Sequence, residues 1–252
     1  MYNKNFKYES KNISKYYYKN RISWEQYYES ERVIIASLNL NSNHSILDVG
    51  CGCAGLGLAL KTKFDIIDYT GVEINYFAAQ TARKLVPHAQ IFEEDILDLN
   101  GLSINRGGYD FVFSLGCIDW NVEFERMLTA IWRLVKPGGG LVCTFRITVN
   151  EGCNEITKSF QYINFDGKLE GEQAAYLVLN VNDLKRFLMA LKPLHVKAHG
   201  YYGMPSNTAV TPYKQLCFAA AVIYKRMLSD VSATTYDLTL PPDIKSRWLA
   251  TS

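Results

Sequence analysis

Apolar and polar positions follow two rhythms along this chain, and the change of rhythm divides it. From Ser23 the run SWEQYYESERVIIASL has helical period, with Trp24, Tyr27, Tyr28, Ile34, Ile35 and Leu38 as its apolar positions. Ser23 as N-cap and Gln26 three residues later form a capping-box pair, so the pattern predicts one helix ahead of the core. From Ser45 short apolar runs alternate with helical stretches, the pattern of a parallel sheet covered by helices. SILDV (45–49) predicts a buried strand, followed by a Gly-rich turn and a helix to about Lys63. YTGVE (69–73), AQIFEED (89–95) and YDFVFSL (109–115) predict three more, with a helix from Asn75 to about Leu85 ending before Pro87. In residues 122–135, Phe124, Met127, Leu128, Ile131, Trp132 and Val135 share one helical face, and KPGGG then leads into the strand LVCTFRI.

Beyond Thr148 the repeat stops. Residues 149–180 read as an insertion with Phe160, Tyr162, Phe165 and Tyr176 among polar residues, a composition suited to shaping an acceptor pocket. A helix over 181–191 follows. HVKAHGYY (195–202) and QLCFAAAVIYKR (215–226) are then joined by a segment too short for a crossover helix, so they should pair antiparallel. The expected architecture is α/β, with seven strands, mostly parallel, an antiparallel last strand and helices on both faces. Its expected divisions are a helical arm or lid at 1–44, the body at 45–228 and an extended surface tail at 229–252.

Composition narrows the picture. A chain of 252 residues with 48% hydrophobic and 21% charged residues fits one compact body with appendages and excludes global disorder. No apolar run approaches the ~20 residues of a membrane span, and no apolar signal core begins the chain, so a cytoplasmic protein is expected. The net charge of +2 hides an imbalance: five Lys and Arg21 against Glu9 give residues 1–21 a charge of +5, leaving −3 for the rest. That argues against a broad nucleic-acid surface while leaving a basic arm able to meet a phosphate-bearing partner. The segment is also aromatic, since Tyr2, Tyr8, Tyr16, Tyr17, Tyr18, Tyr27 and Tyr28 are seven of the 17 tyrosines. Six Cys without a paired CxxC or clustered His read as free thiols, with no metal implied.

ILDVGCGCAGLG places Gly50, Gly52 and Gly55 in GxGxxG spacing after a strand and at the opening of a helix, where bare backbone can approach a ligand closely. Glu73, 18 residues after Gly55 at the end of the second strand, can accept two hydrogen bonds from a ribose diol. Dinucleotide oxidoreductases share that geometry. Asp48 decides against a pyrophosphate, because a carboxylate under the turn suits a cationic or amino-bearing ligand. Asp95 can accept from an adenine amino group while Ile96 covers the ring.

With these residues in place the chain resembles the class I S-adenosylmethionine-dependent methyltransferases. ILDVGCGCAG is similar to the family's first motif, GVEIN to its acidic second, EEDILDL to its third, YDFVFSLGCIDW to its fourth and LVKPGGGLVCTF to the segment beyond. The resemblance covers about Ser45 to Thr148 and the closing strand pair. It implies a Rossmann-like fold and a site for S-adenosyl-L-methionine, with S-adenosyl-L-homocysteine as product. By position it implies that Gly50, Cys51 and Gly52 meet the methionine part, Glu73 the ribose, Ile74, Asp95 and Ile96 the adenine, and Ser114, Leu115 and Gly116 the sulfur. Cys53 and Ala54 depart from the family's more usual Thr or Ser followed by Gly, and both are small.

A sulfonium already activates its methyl carbon, so the protein's task is mainly alignment of a nucleophile. A hydroxyl acceptor benefits from a general base, and the sequence offers Asp119 after the fourth strand and His199 late in the sixth. Each has a structural reading beside the catalytic one. Trp120 can pack against the cofactor, and Tyr18, Tyr27 or Tyr28 can close over it. No NPPY run and no Pro-Cys pair follows the fourth strand, which sets aside two common nucleic-acid acceptors. The expected acceptor is a small polar molecule, a hydroxyl of a saccharide or secondary metabolite. RNA or protein methylation through the basic arm, and a non-catalytic cofactor-binding module, stand as alternatives.

Overall fold

The computed structural model describes residues 11–98, 104, 107–164 and 166–250, so Tyr2, Tyr8 and Phe165 lie outside the described residues. Helix α1 (Lys11–Asn20) comes first, then a 3-10 turn (Trp24–Gln26) and α2 (Glu29–Ala36). The single helix predicted from Ser23 is thus broken. Ser23 N does donate to Gln26 Oε1 at 3.0 Å, as a capping box requires, yet Tyr27 turns extended and Tyr28 N donates instead to Glu31 Oε2 at 2.9 Å. A second N-terminus starts there because Glu31 at the third helical position satisfies it.

The body follows in the order β1 (Ile46–Val49), α3 (Gly55–Phe64), β2 (Tyr69–Val72), α4 (Tyr76–Leu85), β3 (Gln90–Phe92), β4 (Tyr109–Ser114), α5 (Phe124–Arg133) and β5 (Val135–Thr148). Next come β6 (Phe160–Ile163), β7 (Glu172–Ala175), β8 (Leu179–Asn180), α6 (Val181–Ala190), β9 (His195–Gly203), β10 (Ala209–Val210) and β11 (Leu216–Tyr224). The chain then adds β12 (Thr235–Thr239) and α7 (Pro242–Leu249). The main sheet runs β12-β9-β11-β5-β4-β1-β2-β3, with β8 beside β5. All its pairings are parallel except those of β11 with β5 and with β9. The seven expected strands and the antiparallel last one are present.

Two features correct the expectation. The tail from Ser229 is not an extended surface segment: β12 pairs with β9 at the sheet edge, and α7 buries Ile244 and Trp248 against the core. Trp248 and Ile244 are the apolar pair that a loose tail would leave in water. The insertion, in turn, contributes β6 and β7 to a three-stranded sheet in the order β10-β6-β7, whose third strand comes from the segment between β9 and β11. Two apolar clusters cover the two faces of the main sheet. One joins α5, α6 and α7, including Phe124, Leu184 and Trp248; the other joins α2, α3 and α4, including Ile34, Leu60 and Ala82. Successive β1 residues alternate between them, with Leu47 and Val49 in the first and Ile46 in the second.

Candidate active site

The order of the sheet reverses at β1, whose neighbours are β2 and β4, and a cavity opens at the carboxyl ends of these three strands. The first Gly-rich turn forms its floor. Gly50 and Gly52 have φ of +73° and +55°, in the left-handed region, and a Cβ on Gly50 would lie 2.3 Å from Cys117 Sγ. Glu73 is buried and held by backbone, its Oε2 accepting from Gly52 N and its Oε1 from Asn75 N, both at 2.8 Å. Burial raises its carboxyl pKa while these N–H groups pull it back. Asn75 also caps α4 through Ala78 N at 2.9 Å, so the same turn fixes the carboxylate and starts the helix.

Asp48, Gly50, Cys51, Gly52, Gly55, Glu73, Ile74, Asp95, Ile96, Leu115, Gly116 and Trp120 all line this cavity. Ser114 does not: it is fully buried below, its Oγ accepting from Ile118 N at 3.2 Å. Tyr18 and Tyr28 do not line it either, being 51% and 64% exposed. The arm reaches the cavity through Tyr17, Arg21 and Tyr27 instead. Helical spacing explains the exchange, since Tyr17 and Arg21 are one turn apart on the face of α1 and its continuation that meets the glycine turn. The Tyr17 ring lies 3.5 Å from where a Cβ on Gly52 would be, and Cys53 Sγ donates to Ser14 O at 3.2 Å. Arg21 O sits only 1.7 Å from where a Cβ on Gly55 would be. Tyr27 is buried, its hydroxyl donating to Arg21 O at 3.2 Å, and Arg21 pairs with Glu31 at 3.0 Å.

Neither predicted base lines the cavity. Asp119 is buried against Arg146, whose guanidinium lies 3.3 Å from Asp119 Oδ2 and against the rings of both Trp120 and Tyr176. It therefore ties the turn after β4 to the segment after β7. Burial raises its pKa, with Arg146 opposing. His199 stands on β9, paired with Ala220 of β11 and Thr239 of β12, and β11 and β5 separate that strand from β4. The fold carries it away from the reversal point of the sheet. Residues that sequence reasoning missed are Tyr17, Arg21, Glu94, Cys117 and Asn121, together with Ile163 and Ala174 from the β6–β7 hairpin. Glu94 and Cys117 lie inside quoted motifs and Asn121 directly follows one; the others stand outside them.

Among the described residues no group of three or more His, Cys, Asp or Glu is arranged to hold a metal ion, and no helix is long and apolar enough to cross a membrane. The donor set suits an organic cation with a nucleoside: Asp48, Glu73, Glu94 and Asp95 line the cavity against one cation, Arg21, beside glycine backbone that admits close approach.

Known proteins share part of this sequence and the fold of its sheet. The family model described as a methyltransferase domain matches residues 46–139. A U6 snRNA methylphosphate capping enzyme of Drosophila melanogaster is 24% identical over 164 residues, 55% of this chain and 52% of that protein. A malonyl-[acyl-carrier protein] O-methyltransferase of Brevibacillus brevis is 29% identical over 107 residues, 41% of this chain and 38% of its own length. The chain thus spans about half or less of these curated relatives. In fold it is similar to phosphoethanolamine N-methyltransferase 2 of Haemonchus contortus in complex with S-adenosyl-L-methionine, with a TM-score of 0.58 at 14% identity over 85% of this chain and 57% of that one. Residues 46–139 thus match a methyltransferase domain, and the sheet that those residues begin has the fold of S-adenosylmethionine-dependent methyltransferases.

Proposed function

We propose that the protein transfers the methyl group of S-adenosyl-L-methionine to a small polar acceptor, a hydroxyl of a saccharide or secondary metabolite, and releases S-adenosyl-L-homocysteine. In this reading Glu73 holds the ribose, Ile74, Asp95 and Ile96 the adenine, and Gly50 to Gly52 the methionine part. The arm acts as the lid, through Tyr17, Arg21 and Tyr27. When bound, the cofactor supplies an activated methyl carbon. The chain's own residues exclude water, fix the cofactor's ends and orient the acceptor. Trp120, Asn121, Leu115 and Gly116, together with Ile163 and Ala174 from the β6–β7 hairpin, form the wall available to that acceptor.

The observation that carries the small-acceptor reading is enclosure. Arm, glycine turn and β6–β7 hairpin converge on one cavity, and Arg21 O fills the space a side chain at Gly55 would take. The +5 charge of residues 1–21 favours a second reading, RNA methylation, in keeping with the snRNA named for the Drosophila relative. Calorimetry with S-adenosylmethionine tests the common core: wild type binds, and Glu73→Ala loses at least ~1.4 kcal/mol, a factor of ten. Removal of residues 1–21 separates the two acceptors. Loss of cofactor binding supports the lid, whereas retained cofactor binding with loss of an RNA gel shift supports the polymer substrate.

A further inference from the structure

Two apolar side chains stand wholly in water on one turn. Leu228 and Val231, between β11 and β12, are 102% and 98% exposed, more than any other large apolar residue among the described ones, and Met227 beside them is half-exposed. The turn that carries them is firmly held. Arg226 donates to the carbonyls of Lys192 at 3.1 Å, Pro193 at 2.9 Å and Ser232 at 2.7 Å and to Thr234 Oγ1 at 3.2 Å, which ties both ends of the loop to the segment before β9. Asp230 N donates to Met227 O at 3.1 Å and Met227 N to Asp230 Oδ2 at 2.8 Å, so residues 227–230 close a β-turn with Leu228 at its corner. The charges around it are mostly of one sign. Lys192 is exposed, Lys225 Nζ donates to the carbonyls of Trp132 and Val135 at 3.0 and 2.7 Å, and Arg226 meets only neutral acceptors. None of these three cations has a carboxylate partner among the described residues, and Asp230 is the single acid of residues 225–234. One exposed Leu is ordinary, whereas two at full exposure on a braced turn among unpaired cations make a surface of definite chemistry.

We propose that the β11–β12 turn seats the protein on an anionic lipid surface, with Leu228, Val231 and Met227 entering the boundary between headgroups and acyl chains and Lys192, Lys225 and Arg226 attracting the lipid phosphates. The sign of the charge selects this occupant. A second copy packed turn against turn about a two-fold axis would set these cations against their equals, whereas anionic headgroups neutralise them. The contact is peripheral, because among the described residues no helix is long and apolar enough to cross a membrane. The position also suits it. Tyr224 of β11 pairs with Gly140 in the first half of β5, and Thr235 of β12 with His195 at the start of β9, so the turn lies at the amino ends of the parallel strands. The cavity opens at their carboxyl ends, and a protein docked through this turn keeps the mouth of its site in water.

The test is cosedimentation of the full chain with vesicles of equimolar phosphatidylcholine and phosphatidylglycerol, and with vesicles of phosphatidylcholine alone. Wild type pellets with the mixed vesicles, less with the neutral ones, and less as salt is raised. Leu228→Ser and Val231→Ser together weaken the partition by about tenfold or more, since burying one such side chain is worth about that factor. Lys192→Glu weakens it and flattens its salt dependence. Met204→Ser, at an exposed site past the other end of β9, changes nothing. All these changes fall on exposed side chains, so melts followed by circular dichroism match wild type. The +5 arm gives anionic vesicles a second foothold. Binding that survives the loss of Leu228 and Val231 assigns the lipid contact to the arm and overturns the proposal, as does failure of wild type to pellet with the mixed vesicles. A dimer in sedimentation velocity that the paired serine substitutions dissociate, with vesicle binding intact, overturns it in favour of a second copy. The methyltransferase reading stands or falls separately, on calorimetry with S-adenosylmethionine.

Discussion

Replacing Arg146 by Met removes a buried cation around which four residues are arranged. The guanidinium and the Asp119 carboxylate are 5% and 6% exposed and 3.3 Å apart. One nitrogen of Arg146 also donates to the carbonyls of Asp119 at 2.7 Å and Leu177 at 3.3 Å. The Cζ lies 4.6 Å from the Trp120 ring centroid and 3.8 Å from that of Tyr176. Met fills much of the same volume, so the cavity left is small. What is left is a buried carboxylate without its cation, whose Oδ1 already has no hydrogen-bond partner. Breaking a buried pair from one side costs about 3–5 kcal/mol. At roughly 2–4 °C per kcal/mol for a chain of this size, thermal unfolding by circular dichroism should shift down by about 6–20 °C.

The pH dependence of that loss has a definite sign. Burial already raises the Asp119 pKa and Arg146 opposes the rise, so without Arg146 the folded-state pKa climbs further above the unfolded one. The penalty of R146M is then full above the raised folded value and disappears below the unfolded value of about 4, so the variant approaches wild type as the pH is lowered. Pairing R146M with Asp119→Leu removes both charges and should restore part of the stability. The reasoning fails if R146M melts within about 2 °C of wild type, or if the double variant is as unstable as the sum of the singles.

Two further substitutions probe the arm. Gly55→Ala gains about 0.5–1 kcal/mol of helix propensity but must move Arg21 O, at an overpacking cost of about 1–3 kcal/mol. The expected outcome is faster tryptic cleavage at Arg21 and weaker S-adenosylhomocysteine binding; an arm as protected as in wild type would contradict it. Tyr27→Ala should destabilise by about 3–5 kcal/mol and weaken cofactor binding. Tyr18→Ala and Tyr28→Ala, at exposed sites, should stay within about 0.5 kcal/mol in urea unfolding. A large effect at Tyr18 with none at Tyr27 would reverse the assignment.

The sequence by itself determined the parts of this protein that local rules govern. Strand β1, the glycine turn and the apolar face of α5 follow from runs and spacings a few residues long, and the twelve predicted residues that line the cavity all come from segments that begin or follow such elements. Glu73 and Asp95 were legible because a carboxylate at a strand end must lie beside the turn of the next strand in a parallel sheet. The tertiary structure decided everything that depends on which distant segments meet. Tyr17 lines the cavity and Tyr18 does not, although nothing in the composition of a tyrosine run separates them; only the docking of α1 on Gly52 and Cys53 does. Asp119 became one half of a buried ion pair because Arg146, 27 residues later, lies on β5, next to the strand that leads into the turn holding Asp119. His199 was displaced from the site because strand order, unlike strand existence, depends on long-range pairing. The tail folded because β9 offered a free edge, and that edge exists only once the sheet is assembled.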